Sequence, residues 1–345
     1  MCAGNLDYGP NPNAMRTVLI PVVLATVLAG AAFAPGQPPA QPPVEEARPE
    51  TTEREAMLGN RFSFVVRVPS VTLDVVVADE RGRFITGLGV DDFEILEDGV
   101  PQEIRYFTAD LTPVTSLLLL DSSASVRSSL SAIQTAAYIF LRNMASADQG
   151  RVATFSEGVR FGPPYTTEIW DQVPMIRAMR PFGKTALYDA ILTSLQELSR
   201  VEERKALVLV SDGEDSGPDA KGSVSTREQA LEGARLSEGA IYTVGYTGWS
   251  PEGGGKLNRE FLDDVAEQSG GRSYYPEKIE DLSRHFRQIQ HELHRQYQIA
   301  YLPSRDRKEG GWRSIEVRIK DRDDLVARTR KGYYAAPDTE TSESR

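Results

Sequence analysis

Val114-Thr-Ser-Leu-Leu-Leu-Leu-Asp121-Ser-Ser-Ala-Ser125 decides the fold of this chain. Its apolar run is short, opens on β-branched residues and stops abruptly at a carboxylate. That pattern suits a strand buried on both faces, as in a parallel sheet. Beyond it Val126, Leu130, Ile133, Ala137, Phe140, Leu141 and Met144 recur at spacings of three and four, which predicts an amphipathic helix. Asp121, Ser123 and Ser125 therefore fall in the turn between a buried strand and a helix. Ligand sites of open α/β sheets form there, beyond the carboxyl ends of the strands.

The alternation continues outward from this unit. Strands are expected at residues 151–155, 206–210, 240–244 and 272–275, with a short edge strand at 159–161. Apolar stripes predict helices over 169–179, over 187–198, near 226–237, near 258–269 and over 279–294. Strand–helix units with right-handed crossovers give a mostly parallel sheet of six strands. Two more polar turns follow along the chain. One is Gly183-Lys-Thr185-Ala-Leu-Tyr-Asp-Ala190, and the other closes the fourth strand, Ala206-Leu-Val-Leu-Val-Ser-Asp212-Gly213.

Asp121-x-Ser123-x-Ser125, then Thr185, then Asp212 resemble, in order and residue type, the metal-ion-dependent adhesion site (MIDAS) of von Willebrand factor type A (VWA) domains. The resemblance implies a Rossmann-like domain over about 112–296. It also implies that Ser123, Ser125 and Thr185 contact a Mg2+ ion (or Mn2+ or Ca2+) directly, while Asp121 and Asp212 act largely through water. A protein partner's Glu or Asp carboxylate would then complete the coordination. The chemistry of the donors agrees: carboxylates and hydroxyls are hard oxygen ligands, suited to these ions and not to zinc or copper. Neutral hydroxyls leave the ion under-neutralised, so it favours one more anionic oxygen. Each piece alone also reads as ordinary structure, with Ser125 as a helix N-cap and Asp121 as a polar strand end.

The flanks read as β structure. From residue 61 to 111 the period is two, with Val71, Leu73, Val75 and Val77 on one face and Asp98-Gly99 as a hairpin turn. Residues 297–335 alternate again through Ile315, Val317 and Ile319. Each set is too small for a core, so the two are expected to join in one small β-sandwich-like domain, the ends of an inserted domain normally lying close together. Gly87-Leu88, Asp91-Asp92-Phe93-Glu94 and Glu97-Asp98-Gly99 resemble the region before the VWA domain in exported bacterial VWA-related proteins. Asp91 and Asp92 read as a solvated acidic turn.

Met15 is the expected true start, with Arg16, the apolar stretch 18–29 and Ala-Gly-Ala-Ala-Phe-Ala34 forming a secretory signal peptide over 1–34. An uncleaved membrane anchor is the alternative. Residues 35–60, rich in Pro and Glu, read as a tether, and 336–345 as a polar tail. The protein is expected to be exported: periplasmic, cell-surface or secreted. A net charge of −11 argues against nucleic acid or an acidic membrane as partner, and the single Cys2 excludes internal disulfides and thiolate metal sites.

Enzymatic readings find little support. Gly183-Lys184-Thr185 lacks the glycine that a phosphate-binding loop needs at Ala178, and Ser156 lacks the first glycine of a nucleophile elbow, Thr154 standing there. His285, His291 and His294 all fall on the last helix and read as solvated, although His291 and His294 have the spacing of a zinc pair. Trp249, in the glycine-rich loop 248–255, is a candidate partner contact.

Overall fold

Leu117, Leu118, Leu119 and Leu120 are fully buried, and alternate members enter two different cores. That places their strand at the centre of a sheet covered on both faces. The computed structural model describes residues 53–57, 63–67, 70–109, 113–246, 256–304 and 311–335. The stretch expected to be a signal peptide, most of the expected tether, the loop carrying Trp249 and the tail lie outside the described residues.

In chain order, β1 (Glu53–Met57) and β2 (Ser63–Arg67) pair as an antiparallel ribbon, the first within the stretch read from sequence as a tether. Then come β3 (Val71–Asp79), β4 (Phe93–Glu97), β5 (Val100–Gln102) and β6 (Ile104–Thr108). The central α/β part comprises β7 (Thr115–Asp121), α1 (Leu130–Arg142), β8 (Gln149–Phe155), β9 (Val159–Phe161), α2 (Val173–Ala178) and α3 (Leu187–Leu198). It continues with β10 (Lys205–Ser211), α4 (Arg227–Leu236), β11 (Ala240–Gly245), α5 (Arg259–Gln268), β12 (Ser273–Tyr274) and α6 (Leu282–Leu293). Strands β13 (Gln296–Tyr301), β14 (Gly311–Ile319), β15 (Leu325–Arg328) and β16 (Gly332–Ala335) follow.

The central sheet has the order β12-β11-β10-β7-β8-β9 and is parallel except for β9. Leu118 and Leu120 pack with α1 and α6 on one face, and Leu117 and Leu119 with α3, α4 and α5 on the other. From β7 the chain winds first toward β8 and then returns to β10, so a topological switch point lies between β7 and β10. Local signals set the boundaries. Thr226 and Gln229 form a reciprocal capping box on α4, and Asn258 caps α5 through the Phe261 N–H. The helix expected to begin at Val126 is preceded by a 3-10 turn, Ala124–Ser128, and α1 itself begins at Leu130. Serines at 125, 128 and 129 compete for backbone groups and favour such turns over helix interiors.

The flanking strands interleave. One sheet runs β15-β3-β13-β6 and the other β16-β14-β4-β5, each taking strands from both chain termini. They share a core built on Leu73, Val75, Phe93, Ile95, Ile299 and Val317. Asp98 and Gly99 have φ of 49° and 79°, the left-handed pair that a two-residue type I′ hairpin requires.

The sandwich meets the amino end of the central sheet. The Arg204 guanidinium, just before β10, pairs with Asp74 of β3 at 3.2 Å and donates to the Leu293 carbonyl at 2.8 Å and to Gln296. At a second seam Arg328 of β15 donates to Glu292 at 2.6 Å, which is wholly buried and also accepts from the Tyr274 hydroxyl at 3.0 Å. The carboxyl ends of β7 and β10 are left facing the opposite way.

Candidate metal centre

Asp121 ends β7 with no exposed surface. Its Oδ1 accepts the Ser123 N–H at 2.8 Å, and its Oδ2 accepts the Ser211 hydroxyl at 3.1 Å. The first bond folds the turn back on itself, and the second ties β7 to the end of β10. The Ser123 and Ser125 hydroxyls lie 2.8 Å apart, so the i, i+2 spacing read from the sequence puts both on one side of the turn.

The second loop is brought in by backbone bonds. Ala124 N–H donates to the Gly183 carbonyl at 3.0 Å, and Phe182 N–H to the Ser122 carbonyl at 2.9 Å. Gly183 has φ 74°, a left-handed turn in which any Cβ would lie 2.9 Å from the Glu157 side chain, so only glycine lets this loop approach. Thr185 follows, and with Ser123 and Ser125 it lines one open cleft of about 640 Å³.

Asp212 supplies the third loop. Its Oδ1 accepts the Glu214 N–H at 3.0 Å. Burial, then the charge of the neighbouring Asp121, push its carboxyl up to about 7. Asp121 is likewise raised, by burial acting against its bonds from Ser123 and Ser211. Beneath the pair sits the Tyr246 hydroxyl, buried and without a hydrogen-bond partner among the described residues. Its own ionisation is pushed far up by burial and then by the charges of Asp121 and Asp212.

The five predicted residues thus come to one place, at the switch point. Trp249 lies outside the described residues. The set fits a hard divalent cation: two carboxylates held close in a desolvated spot repel one another, and a cation between them removes the repulsion. Among the described residues no group of three or more His, Cys, Asp or Glu side chains could hold a metal, so the His291–His294 zinc reading has no third ligand.

His294 also corrects the expectation of solvated histidines. Its Nε2 is 2.7 Å from the buried Asp148 and its Nδ1 is 2.8 Å from the Gln290 carbonyl. The hydrogen bond to Asp148 raises its pKa, against burial.

Sequence reading also missed the residues that hold the loops. Asp215 Oδ2 accepts the Leu187 N–H at 2.7 Å and the Ser223 hydroxyl at 2.6 Å, while Oδ1 accepts the Gly217 and Ser223 N–H groups. The Ser216 hydroxyl accepts the Thr185 N–H at 3.1 Å. The one available signal was Asp215's place three residues after Asp212.

Fold and site define a class: a doubly wound α/β domain with an oxygen-donor centre beyond its central strands. Strand order and the three converging turns give the central domain the von Willebrand factor type A architecture that the sequence resemblance implies. No protein-family model and no curated protein matches the chain. Solved structures similar to it include an aerotolerance-related membrane protein from Bacteroides fragilis, at 15% identity and TM-score 0.42 over 52% of this chain and 98% of that one. Another is the vWF domain of the type V pili tip protein Mfa5 from Porphyromonas gingivalis, at 12% identity and TM-score 0.41 over 53% and 95%. A third is a von Willebrand factor type A protein from Catenulispora acidiphila, at 12% identity and TM-score 0.43 over 79% and 74%.

Proposed function

We propose that this chain is an exported VWA-domain protein that holds one divalent cation, Mg2+, Mn2+ or Ca2+, through Asp121, Ser123, Ser125, Thr185 and Asp212. The ion takes hold of a Glu or Asp carboxylate on a protein partner, and no catalytic step follows. The observation that carries the reading is the fully buried Asp121 with the partly buried Asp212 as its charged neighbour, next to an open cleft on which the Ser123, Ser125 and Thr185 side chains converge. The carboxylates attract the ion, and the neutral hydroxyls of Ser123, Ser125 and Thr185 leave it charge to offer outward. Export rests on the signal-like stretch 15–34. Among the described residues no helix is long and apolar enough to cross a membrane.

Calorimetric titration of the purified protein with MgCl2 and MnCl2 tests the site. One ion is expected to bind, and Asp121→Ala to abolish the binding. Capture of a glutamate-bearing peptide that vanishes with chelator supports adhesion. If chelation lowers the melting temperature and peptide capture never occurs, the ion is only a scaffold. Magnesium-dependent hydrolysis of p-nitrophenyl phosphate, lost in Asp121→Asn, would replace adhesion with phosphoester chemistry.

A further inference from the structure

Beside the metal turn lies a second cavity, of about 220 Å³. Its wall includes Ser122 and Phe182, the chain neighbours of Ser123 and Gly183 in the metal cleft, so the two openings flank the same pair of turns. Arg160 and Arg180 line it, together with Met175 and Met179, and no carboxylate does. In a chain of net charge −11 that is unusual composition for a wall. Neither arginine takes part in an ion pair among the described residues. Arg180 donates only to the carbonyls of Arg177 and Met179, at 2.9 and 2.7 Å, and so keeps its full positive charge at the rim. Phe182 stands 68% exposed at the same edge.

We infer that this cavity is a second recognition pocket, which receives a further Glu or Asp side chain from the segment bound at the ion. The inference rests on the adhesion reading above and names its partner class: an acidic, extended peptide segment with two carboxylates. The first carboxylate coordinates the ion. The second enters between Arg160 and Arg180, its methylenes lying on Met175 and Met179, with an apolar neighbour against Phe182. Unpaired guanidiniums bind carboxylates with planar, charge-assisted geometry. In an extended strand, residues i and i+2 point the same way about 7 Å apart, so alternate acidic residues suit two adjoining pockets.

The test uses capped, dye-labelled peptides in MnCl2, read by fluorescence anisotropy. One peptide has a single Glu in a glycine frame, and others carry a second Glu one, two or three residues away. At the best spacing the second Glu is expected to tighten binding on the order of tenfold. R160Q/R180Q should erase that gain while leaving single-Glu affinity, Mn2+ affinity and melting temperature unchanged. Equal affinity for all peptides, or equal loss for both kinds in the double variant, overturns the pocket and leaves the metal reading standing. A gain obtained with phosphoserine and not with Glu overturns the carboxylate assignment. If Mn2+ does not bind at all, the adhesion reading falls and the inference falls with it.

Discussion

Asp121 and Asp212 are two like charges that the fold confines, and their behaviour follows from that confinement. In chelator, the raised carboxyl of Asp212 favours the protonated folded state. Its contribution to stability is therefore complete below the ordinary value of 3.8 and declines as pH rises through about 7. Divalent cation is expected to abolish that decline, because it stabilises the ionised pair. Asp212→Asn should raise the melting temperature in chelator at pH 7.5 and remove the increment that Mg2+ gives the parent. Differential scanning calorimetry with and without Mg2+ reads both effects, and an unchanged increment in the variant counts against the site. Asp215 makes the complementary case, since its charge is fully satisfied by donors from three loops. Asp215→Asn turns an acceptor into a donor facing the Leu187 N–H and the Ser223 hydroxyl, and should cost about 3 kcal/mol in urea unfolding. The turns that carry Asp121, Ser123, Ser125, Thr185 and Asp212 were legible because spacing within a turn survives in sequence. Asp215 was not, because its partners other than Gly217 lie 8 to 28 residues away.

Among the elements, α6 shows how a tertiary contact overrides a surface reading. Its last turn presents His294 to Asp148, which also accepts the N–H groups of Val114 and Ala145. Burial opposes ionisation of Asp148, but those bonds outweigh it and lower its pKa below 3.8. The linkage has a definite sign. The raised His294 contributes stability in full below 6.5 and loses it as pH rises through its elevated pKa, while Asp148 loses its share as pH falls below 3.8. His294→Gln should flatten the loss of melting temperature as pH rises above 6.5, read by scanning both proteins over the same pH series. Parallel slopes in the two proteins would sink the assignment. Strand and helix positions were largely readable, because apolar periodicity reports burial directly. Helix onsets were less so: the 3-10 turn before α1 follows from serine clustering and from the fold of the Asp121–Ser123 turn, which sets the Ser123 and Ser125 hydroxyls side by side.

At the scale of the molecule, two seams join sandwich and head. Glu292 has no exposed side-chain surface, so its charge depends on Arg328. Arg328→Met should cost about 3–5 kcal/mol by stranding that charge. Adding Glu292→Gln, which keeps an acceptor for Tyr274, should recover most of the loss. A double variant as unstable as the single would mean that Arg328 matters for packing rather than for charge. The interleaving of terminal strands was predictable from the shortage of core in either flank, although which strand pairs with which was not. Strand order depends on side-chain fit across the ladder, and alternation carries no information about it.

The ladder between β6 and β13 has a practical consequence. Thr108 and Gln298 are register partners, so the polypeptide leaves the sandwich for the head and comes back within one rung of the same ladder. Directly opposed residues sit about 5 Å apart, a gap that a two-residue Asn-Gly turn closes. The head is therefore a removable cartridge. Splicing such a turn between Thr108 and Gln298 should leave the two-sheet sandwich as a scaffold lacking only Tyr297 from its core, and a foreign module with neighbouring termini could be plugged into the same socket.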